Sequence, residues 1–278
     1  MYKQLKRVAE FIASLLSENY YVTQFARMVV RNYDNDCNGD IDTNGERTVQ
    51  REIVAASSPE SVFFDVGANV GDWSVALVES GVRGRIIAVD PLSRNLAAVQ
   101  SKLSELGYKN LDLIECALSA SRGTVKFFTN RDLAMSGHDS LFDMREIGYA
   151  EGVDCVEVRA MTLDELTQEL AIGRIHFLKI DVEGNELSVL KGAKALLVRG
   201  AIDFIQIEFG HAARAARVYL HDIVNFLEPL DYQIFVIKPK GLLPLNFTPF
   251  TENMYSYINF LIVKNGMLEK LNLKKLKR

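Results

Sequence analysis

From residue 61 onward, short apolar runs alternate with stretches of helical period. Val62, Phe63 and Phe64 run into Asp65 and a glycine-rich turn, and 73–80 then reads as a helix. A second buried strand is predicted over 85–90 (RIIAVD), a helix over about 93–106 and a third strand over 111–118. Strands and helices alternating at these lengths predict right-handed crossovers and a mostly parallel sheet. The rhythm lapses over 123–158, where 124–128 and 155–158 read as strands around an aperiodic segment, 130–152. It resumes with strand 176–180, helix 186–198, strand 203–208 and helix 212–227. Strands 232–238 and 257–264 close the series. Only a loop with Gly and Pro joins them, so they are expected to pair antiparallel.

Ahead of this unit, 1–33 reads as helix, 34–46 as a polar turn-rich segment and 47–56 as helix again. The expected organisation is an N-terminal helical extension (1–60), a Rossmann-like α/β domain (61–264) and a basic tail (265–278). Lys3, Lys6 and Arg7 precede an apolar stretch, as in a signal peptide, yet Glu10 interrupts it and no clean cleavage site follows. Leu5, Val8, Phe11, Ile12, Leu15 and Leu16 fall at helical spacing, which favours an amphipathic helix covering a ligand or a dimer partner. No apolar run reaches membrane-spanning length. The tail, 268–278, mixes Leu with Lys and Arg; a solvated tail is favoured there over a membrane-surface helix.

Composition narrows the class. Of 278 residues, 48% are hydrophobic and 24% charged, which suits a globular protein with an ample core. The formal net charge of −4 does not suggest a nucleic-acid binder. Cys37, Cys116 and Cys155 are odd in number, widely spaced and without a CxxC pair. Neither a disulfide framework nor structural zinc is expected, and a reducing cytoplasm fits.

Candidate chemistry begins at Asp65-Val66-Gly67-Ala68-Asn69-Val70-Gly71. Glycines between a strand and a helix allow positive φ and let a ligand approach the backbone. A dinucleotide fold would place pyrophosphate over GxGxxG. Here Asn69 and Asp72 stand where the second and third glycines should fall, and Asp65 would repel a phosphate. S-adenosylmethionine carries no phosphate, and its ammonium and sulfonium are cationic. Asp65 then becomes a favourable neighbour, and Asn69 can reach the amino-acid part. Asp90 ends the second strand, 19 positions beyond Gly71, where a carboxylate can accept both ribose hydroxyls. It can equally cap the next helix. Cys116 and Ala117 fall where the adenine edge would sit.

Two segments resemble the FkbM-type methyltransferases: FDVGANVGDWS (64–74) and LKIDVEGNELSVLKGA (178–193). TLDEL (162–166) and Asn44-Gly45-Glu46 look like family features as well, and the resemblance spans about residues 40–264. It implies a class I methyltransferase fold, with a mostly parallel seven-stranded sheet and an antiparallel last strand. It further implies S-adenosylmethionine as donor and a hydroxyl of a sugar or related natural product as acceptor.

Lys179, Asp181 and Glu183 end the fourth strand of the wound pattern, and Glu208, with His211 close behind, ends the fifth. In such sheets ligands sit at the carboxyl ends of the strands. A hydroxyl acceptor needs a base or a metal, because its pKa lies far above neutral. Three readings stay open. Asp181 or His211 takes the proton; or Asp181 and Glu208 hold Mg²⁺; or the segment is structural, with Glu183 capping a helix and Lys179 paired to Asp181. His138 is a further candidate base or acceptor contact. Asp34, Asp36, Asn38, Gly39 and Asp40 imitate an EF-hand opening, but Gly45 occupies loop position 12, so a solvated acidic turn is expected. The competing functions are a non-catalytic cofactor-binding or scaffold protein of the same fold and a nicotinamide-dependent oxidoreductase.

Overall fold

The computed structural model describes residues 2–131, 137–148, 152–248 and 257–277. Strands β1 (Val62–Val66), β2 (Arg85–Asp90) and β3 (Leu111–Glu115) open the main sheet. Strands β4 (Ala117–Leu118), β5 (Gly123–Asn130) and β6 (Val153–Met161) form a separate three-stranded sheet in the order β4-β6-β5. The main sheet continues with β7 (Ile175–Ile180), β8 (Ile202–Phe209), β9 (Tyr232–Lys238), β10 (Gly241–Pro244) and β11 (Ile258–Lys264). Its order is β10-β9-β11-β8-β7-β1-β2-β3. Strands β3, β2, β1, β7 and β8 are mutually parallel, whereas β11 runs antiparallel to both β8 and β9. This is the expected class I arrangement with one strand more. The loop between the last two predicted strands carries β10, an edge hairpin on β9.

The central strands are apolar at nearly every position because both faces are covered. Successive side chains alternate between two cores. Phe64, Val66, Leu178 and Ile180 enter one, while Phe63, Ile86 and Phe177 enter the other. Helices α3 (Glu46–Ala55), α4 (Asp72–Glu79) and α5 (Ser93–Glu105) cover the second core with Val49, Ile53, Leu77 and Val99. Helices α6 (Leu163–Glu169), α7 (Glu186–Gly192), α8 (Lys194–Val198) and α10 (Leu220–Leu227) cover the first. The TLDEL motif starts α6 with a capping box, in which the Thr162 hydroxyl accepts from Glu165 N at 3.1 Å and Glu165 accepts from Thr162 N at 3.1 Å.

Several predicted elements break where local geometry demands it. The strand 111–118 leaves the main sheet at Cys116 and passes into β4. The helix 186–198 splits after Gly192, where a Cβ would stand 2.2 Å from the Ser119 carbonyl oxygen. The helix 212–227 becomes α9 (Ala212–Ala216) and α10, parted at Arg217 with φ 54°. The long N-terminal helix is two, α1 (Tyr2–Ser17) and α2 (Tyr20–Asp34), and Asn19 caps the second by accepting from Val22 N at 3.2 Å. No described residue of α1 or α2 lines the central cavity, and Gly39 is the one residue of the 1–60 segment among those that do. Helix α3, grouped with that extension in the sequence, belongs to the core.

The C-terminal segment is also neither a free tail nor a helix beyond the short 3-10 turn Leu268–Lys270. Leu242 N donates to Lys274 O at 2.9 Å and Leu276 N to Leu242 O at 2.8 Å, so the segment is strapped along β10, with Leu271 buried. The acidic turn likewise packs rather than floats. Asp34 is buried 3.7 Å from Lys238 Nζ, and Asp36 accepts from Tyr257 N at 2.8 Å.

Candidate active site

A cavity of about 440 Å³ opens at the carboxyl ends of β1, β2, β7 and β8. Its first half is made by the turn after β1. Gly67 adopts φ +79°, and a Cβ there would stand 1.8 Å from the Asp181 carbonyl oxygen, so no side chain fits. Gly67 N and Ala68 N both donate to Val89 O, at 2.9 and 3.1 Å, which ties the turn to β2. Asn69 stands at φ 44°, and its N–H donates to Asp90 Oδ2 at 2.9 Å. Asp90 Oδ1 accepts from Leu92 N at 2.9 Å and from Asn95 Nδ2 at 3.0 Å. Asp90 therefore supports the helix entry while still lining the cavity. Burial raises its pKa to about 6, against the lowering effect of these bonds. Asn69 Oδ1 is buried on the cavity wall with no hydrogen-bond partner among the described residues. Cys116, Ala117 and Leu118 close this half.

The second half is carboxylate-rich. Asp181, Glu183 and Glu208 line it, and one oxygen of each lies within 4.8 Å of the others. Lys179 is buried beneath them, 3.5 Å from Asp181 Oδ2 and 3.8 Å from Glu46 Oε2. Burial would lower the lysine pKa, but the facing carboxylates of Asp181, Glu46, Glu208 and Asp65 raise it overall. Burial followed by the nearby Asp181 raises Glu208 well above the carboxylate range. The Tyr257 hydroxyl donates to Glu208 Oε2 at 2.7 Å. Glu183 holds φ 48°, a conformation that costs a non-glycine residue roughly 1–3 kcal/mol, and faces His138 Nδ1 at 3.8 Å. That contact raises the His138 pKa against the opposing effect of burial.

The structure thus brings Gly67, Asn69, Asp90, Cys116, Ala117, Asp181, Glu208 and His138 to one cavity. Asp65, Gly71, Lys179 and His211 are not among the residues that line it. Asp65 lies fully buried below the turn, where Oδ2 accepts from Ser74 Oγ at 2.6 Å, and desolvation raises its pKa to about 6. Gly71 begins α4 at φ +84° and packs on Val99. Burial and then Arg214 lower the His211 pKa. Glu183 does not cap α7, whose N-cap residue Asn185 makes no side-chain cap bond; Glu186 Oε1 instead accepts from Val182 N at 3.3 Å and Gly184 N at 3.0 Å in the turn before the helix.

Sequence reasoning missed Tyr257 as a partner of Glu208, and it passed over Glu46 as the second carboxylate on Lys179. Glu46 accepts from Asn44 Nδ2 at 2.5 Å, from Asn259 Nδ2 at 3.0 Å and from Gln206 Nε2. The signal was a lone Asn-Gly-Glu far from the other motifs. Gly45, at φ +100° with Lys238 O only 2.3 Å from a Cβ, holds it in place.

A mostly parallel sheet closed by an antiparallel strand, with a glycine turn after β1, Asp90 ending β2 and carboxylates at the ends of β7 and β8, is the arrangement of the class I methyltransferase fold. The chain matches the model of the methyltransferase FkbM domain over residues 65–234, and it belongs to that family. It is 32% identical over 167 residues to the methyltransferase sdnD of Sordaria araneosa, covering 49% of this chain and 62% of that one. It is 25% identical over 174 residues to the hexuronic acid methyltransferase AglP of Haloferax volcanii, covering 60% and 63%. With the 2-O-methyltransferase NoeI of Sinorhizobium fredii it shares 22% over 204 residues, covering 70% and 82%. The chain spans less than two thirds of the length of the first two relatives.

Proposed function

We propose that this protein is an S-adenosylmethionine-dependent O-methyltransferase acting on a hydroxyl of a sugar or a related small acceptor. The observation that carries the reading is one cavity that joins the Gly67–Asn69–Asp90 wall to the Asp181–Glu183–Glu208 wall. The first wall suits the donor. The orphaned Asn69 Oδ1 is an acceptor for the methionine ammonium, and Asp90 keeps lone pairs for the ribose hydroxyls. The carboxylates and the absence of phosphate-binding glycines are poor company for a pyrophosphate. The relatives named as a hexuronic acid methyltransferase and a 2-O-methyltransferase support a hydroxyl-bearing acceptor.

Bound S-adenosylmethionine supplies an electrophilic methyl group. The chain's own part is to hold the acceptor oxygen in line and to take its proton. Asp181 is the base of choice because it lines the cavity and His211 does not. Glu208, raised by burial, serves as a hydrogen-bond partner of the acceptor. The metal route gains a third oxygen donor, since Glu183 joins Asp181 and Glu208. Activity that survives EDTA would remove it.

Calorimetric titration tests the donor: S-adenosylmethionine should bind and NAD should not. Binding of NAD alone would sink the reading. Release of S-adenosylhomocysteine in a panel of sugars and glycoconjugates tests the acceptor, and silence across that panel with tight donor binding would favour a non-catalytic protein.

A further inference from the structure

The two N-terminal helices carry an apolar face that, apart from the Tyr33 ring with Lys238 Nζ 5.5 Å from its centre, stands exposed. On α1, Leu5, Val8, Phe11, Ile12, Leu15 and Leu16 are each between 48% and 64% exposed. They recur at helical spacing opposite Lys6, Arg7 and Glu10. On α2, Tyr21, Phe25, Val29 and Tyr33 follow at four-residue intervals, again exposed. Side chains of this size are ordinarily withdrawn from water, and two helices in succession leaving them out mark an interaction surface.

Charge identifies the partner. Residues 1–34 hold five basic groups (Lys3, Lys6, Arg7, Arg27, Arg31) against Glu10, Glu18 and Asp34, and Asp34 lies beside Lys238, in a chain whose formal net charge is −4. Arg27 and Arg31 make no ion pair with a described residue. Two copies of this arm carry the same positive surplus and repel each other. An anionic bilayer offers both complements at once, an apolar layer for Phe11 and Leu15 and negative headgroups for the basic groups. Tyr20, Tyr21 and Tyr33 suit that boundary, each having an apolar ring and a polar tip. Helix α1 would lie in the surface rather than cross it, for no described helix is long and apolar enough to span a membrane.

The arm is also anchored at the mouth of the candidate site. It ends at Asp34, beside Lys238, and two residues later Asp36 accepts from Tyr257 N. The hydroxyl of that tyrosine donates to Glu208, and Gly39 lines the same cavity. We propose that the α1–α2 arm docks the protein on an anionic lipid surface and so presents the cavity to a hydroxyl acceptor carried on a lipid. The docking stands on the arm alone; the acceptor clause rests on the methyltransferase reading.

The test is sedimentation of the full chain with vesicles of phosphatidylcholine, alone or mixed with phosphatidylglycerol. The protein should pellet with the mixed vesicles and largely stay in the supernatant with phosphatidylcholine alone. Raising salt from about 0.1 to about 0.5 M should lower the bound fraction, because the headgroup attraction is screened. Phe11→Glu combined with Leu15→Glu should reduce pelleting about ten-fold or more, with an unchanged thermal melt and an unchanged S-adenosylmethionine titration. A chain that stays in solution with the mixed vesicles overturns the proposal, as does equal pelleting of the double variant. A dimer that this variant dissociates, without vesicle binding, would assign the face to a second copy. Loss of the methyltransferase reading would show in the titration and leave the vesicle result standing, so the two failures are separable.

Discussion

Glu46→Ala is the perturbation whose cost the structure defines best. Glu46 is buried, lies 3.8 Å from the Lys179 ammonium, and receives amide N–H groups from Asn44, Asn259 and Gln206, all buried. Truncation leaves the lysine without one of its carboxylates, and removing one partner of a buried pair costs about 3–5 kcal/mol. It also removes an acceptor from three amide groups at up to roughly 1–3 kcal/mol each, although Asn44 Nδ2 keeps Asn38 O at 3.2 Å and Gln206 Nε2 keeps Asn259 Oδ1 at 3.1 Å, so these costs do not simply add. Lys179 keeps Asp181 at 3.5 Å, and Asn259 Oδ1 accepts from its Nζ at 3.2 Å, so the charge is not abandoned. The expected net loss is therefore about 3–5 kcal/mol. With a urea slope of about 3 kcal/mol/M, the unfolding midpoint should fall by about 1–1.7 M. Glu46→Gln keeps the shape and one oxygen but loses the charge and turns an amide donor toward existing donors. It should cost about half as much. Because Glu46 does not line the cavity, S-adenosylmethionine binding should change little in the folded protein. A midpoint shift under about 0.3 M for Glu46→Ala would refute the claim that this network supports β7, β8 and β11 from within.

Gly67→Ala should weaken cofactor binding more than ten-fold while the circular dichroism stays native. A left-handed alanine costs about 1–2 kcal/mol, and its Cβ would displace the turn from Asp181; an unchanged titration would discredit the close approach. Asp90→Ala should reduce S-adenosylmethionine affinity about 10- to 150-fold, the worth of a charge-assisted hydrogen bond, and full affinity would deny it the ribose role. Asp181→Asn should lower turnover on a true acceptor by about 10²-fold or more with donor affinity preserved, and wild-type turnover would remove it as the base. Stability should fall as pH rises. Burial places Asp65 and Asp90 at about 6 and Glu186 at about 8, above their unfolded values. The native state then binds more protons than the unfolded chain across that window. Its advantage is complete below about pH 4 and is lost as pH passes through about 6 and then about 8. Thermal midpoints should drop between about pH 6 and about pH 8.5, and a rise would contradict the sign.

The wound sheet was legible in the chain because each of its strands is a run of apolar residues between turn residues, a pattern that only a doubly covered strand needs. The gathering of Gly67, Asn69 and Asp90 on one cavity wall was legible for a related reason: they are contiguous with strand ends, and position along a strand places them in space. Element breaks at Gly192, Arg217 and Asn19 were not legible, since they answer to close approaches and caps that arise only on folding. That Glu186 rather than Glu183 turns back to the backbone was hidden for the same reason, with the left-handed Glu183 facing His138 instead.

What the sequence alone determined is the class of fold, the glycine turn after the first strand and the set of carboxylates at strand ends, all of them local consequences of period and spacing. What only the tertiary structure decided is which charges meet. Glu46 reaches Lys179 across 133 positions and Tyr257 reaches Glu208 across 49, because antiparallel β11 and helix α3 close on the sheet from opposite ends of the chain. No local pattern encodes such a pairing; it follows from burial, which forces every charge in the core to find a partner wherever the fold supplies one.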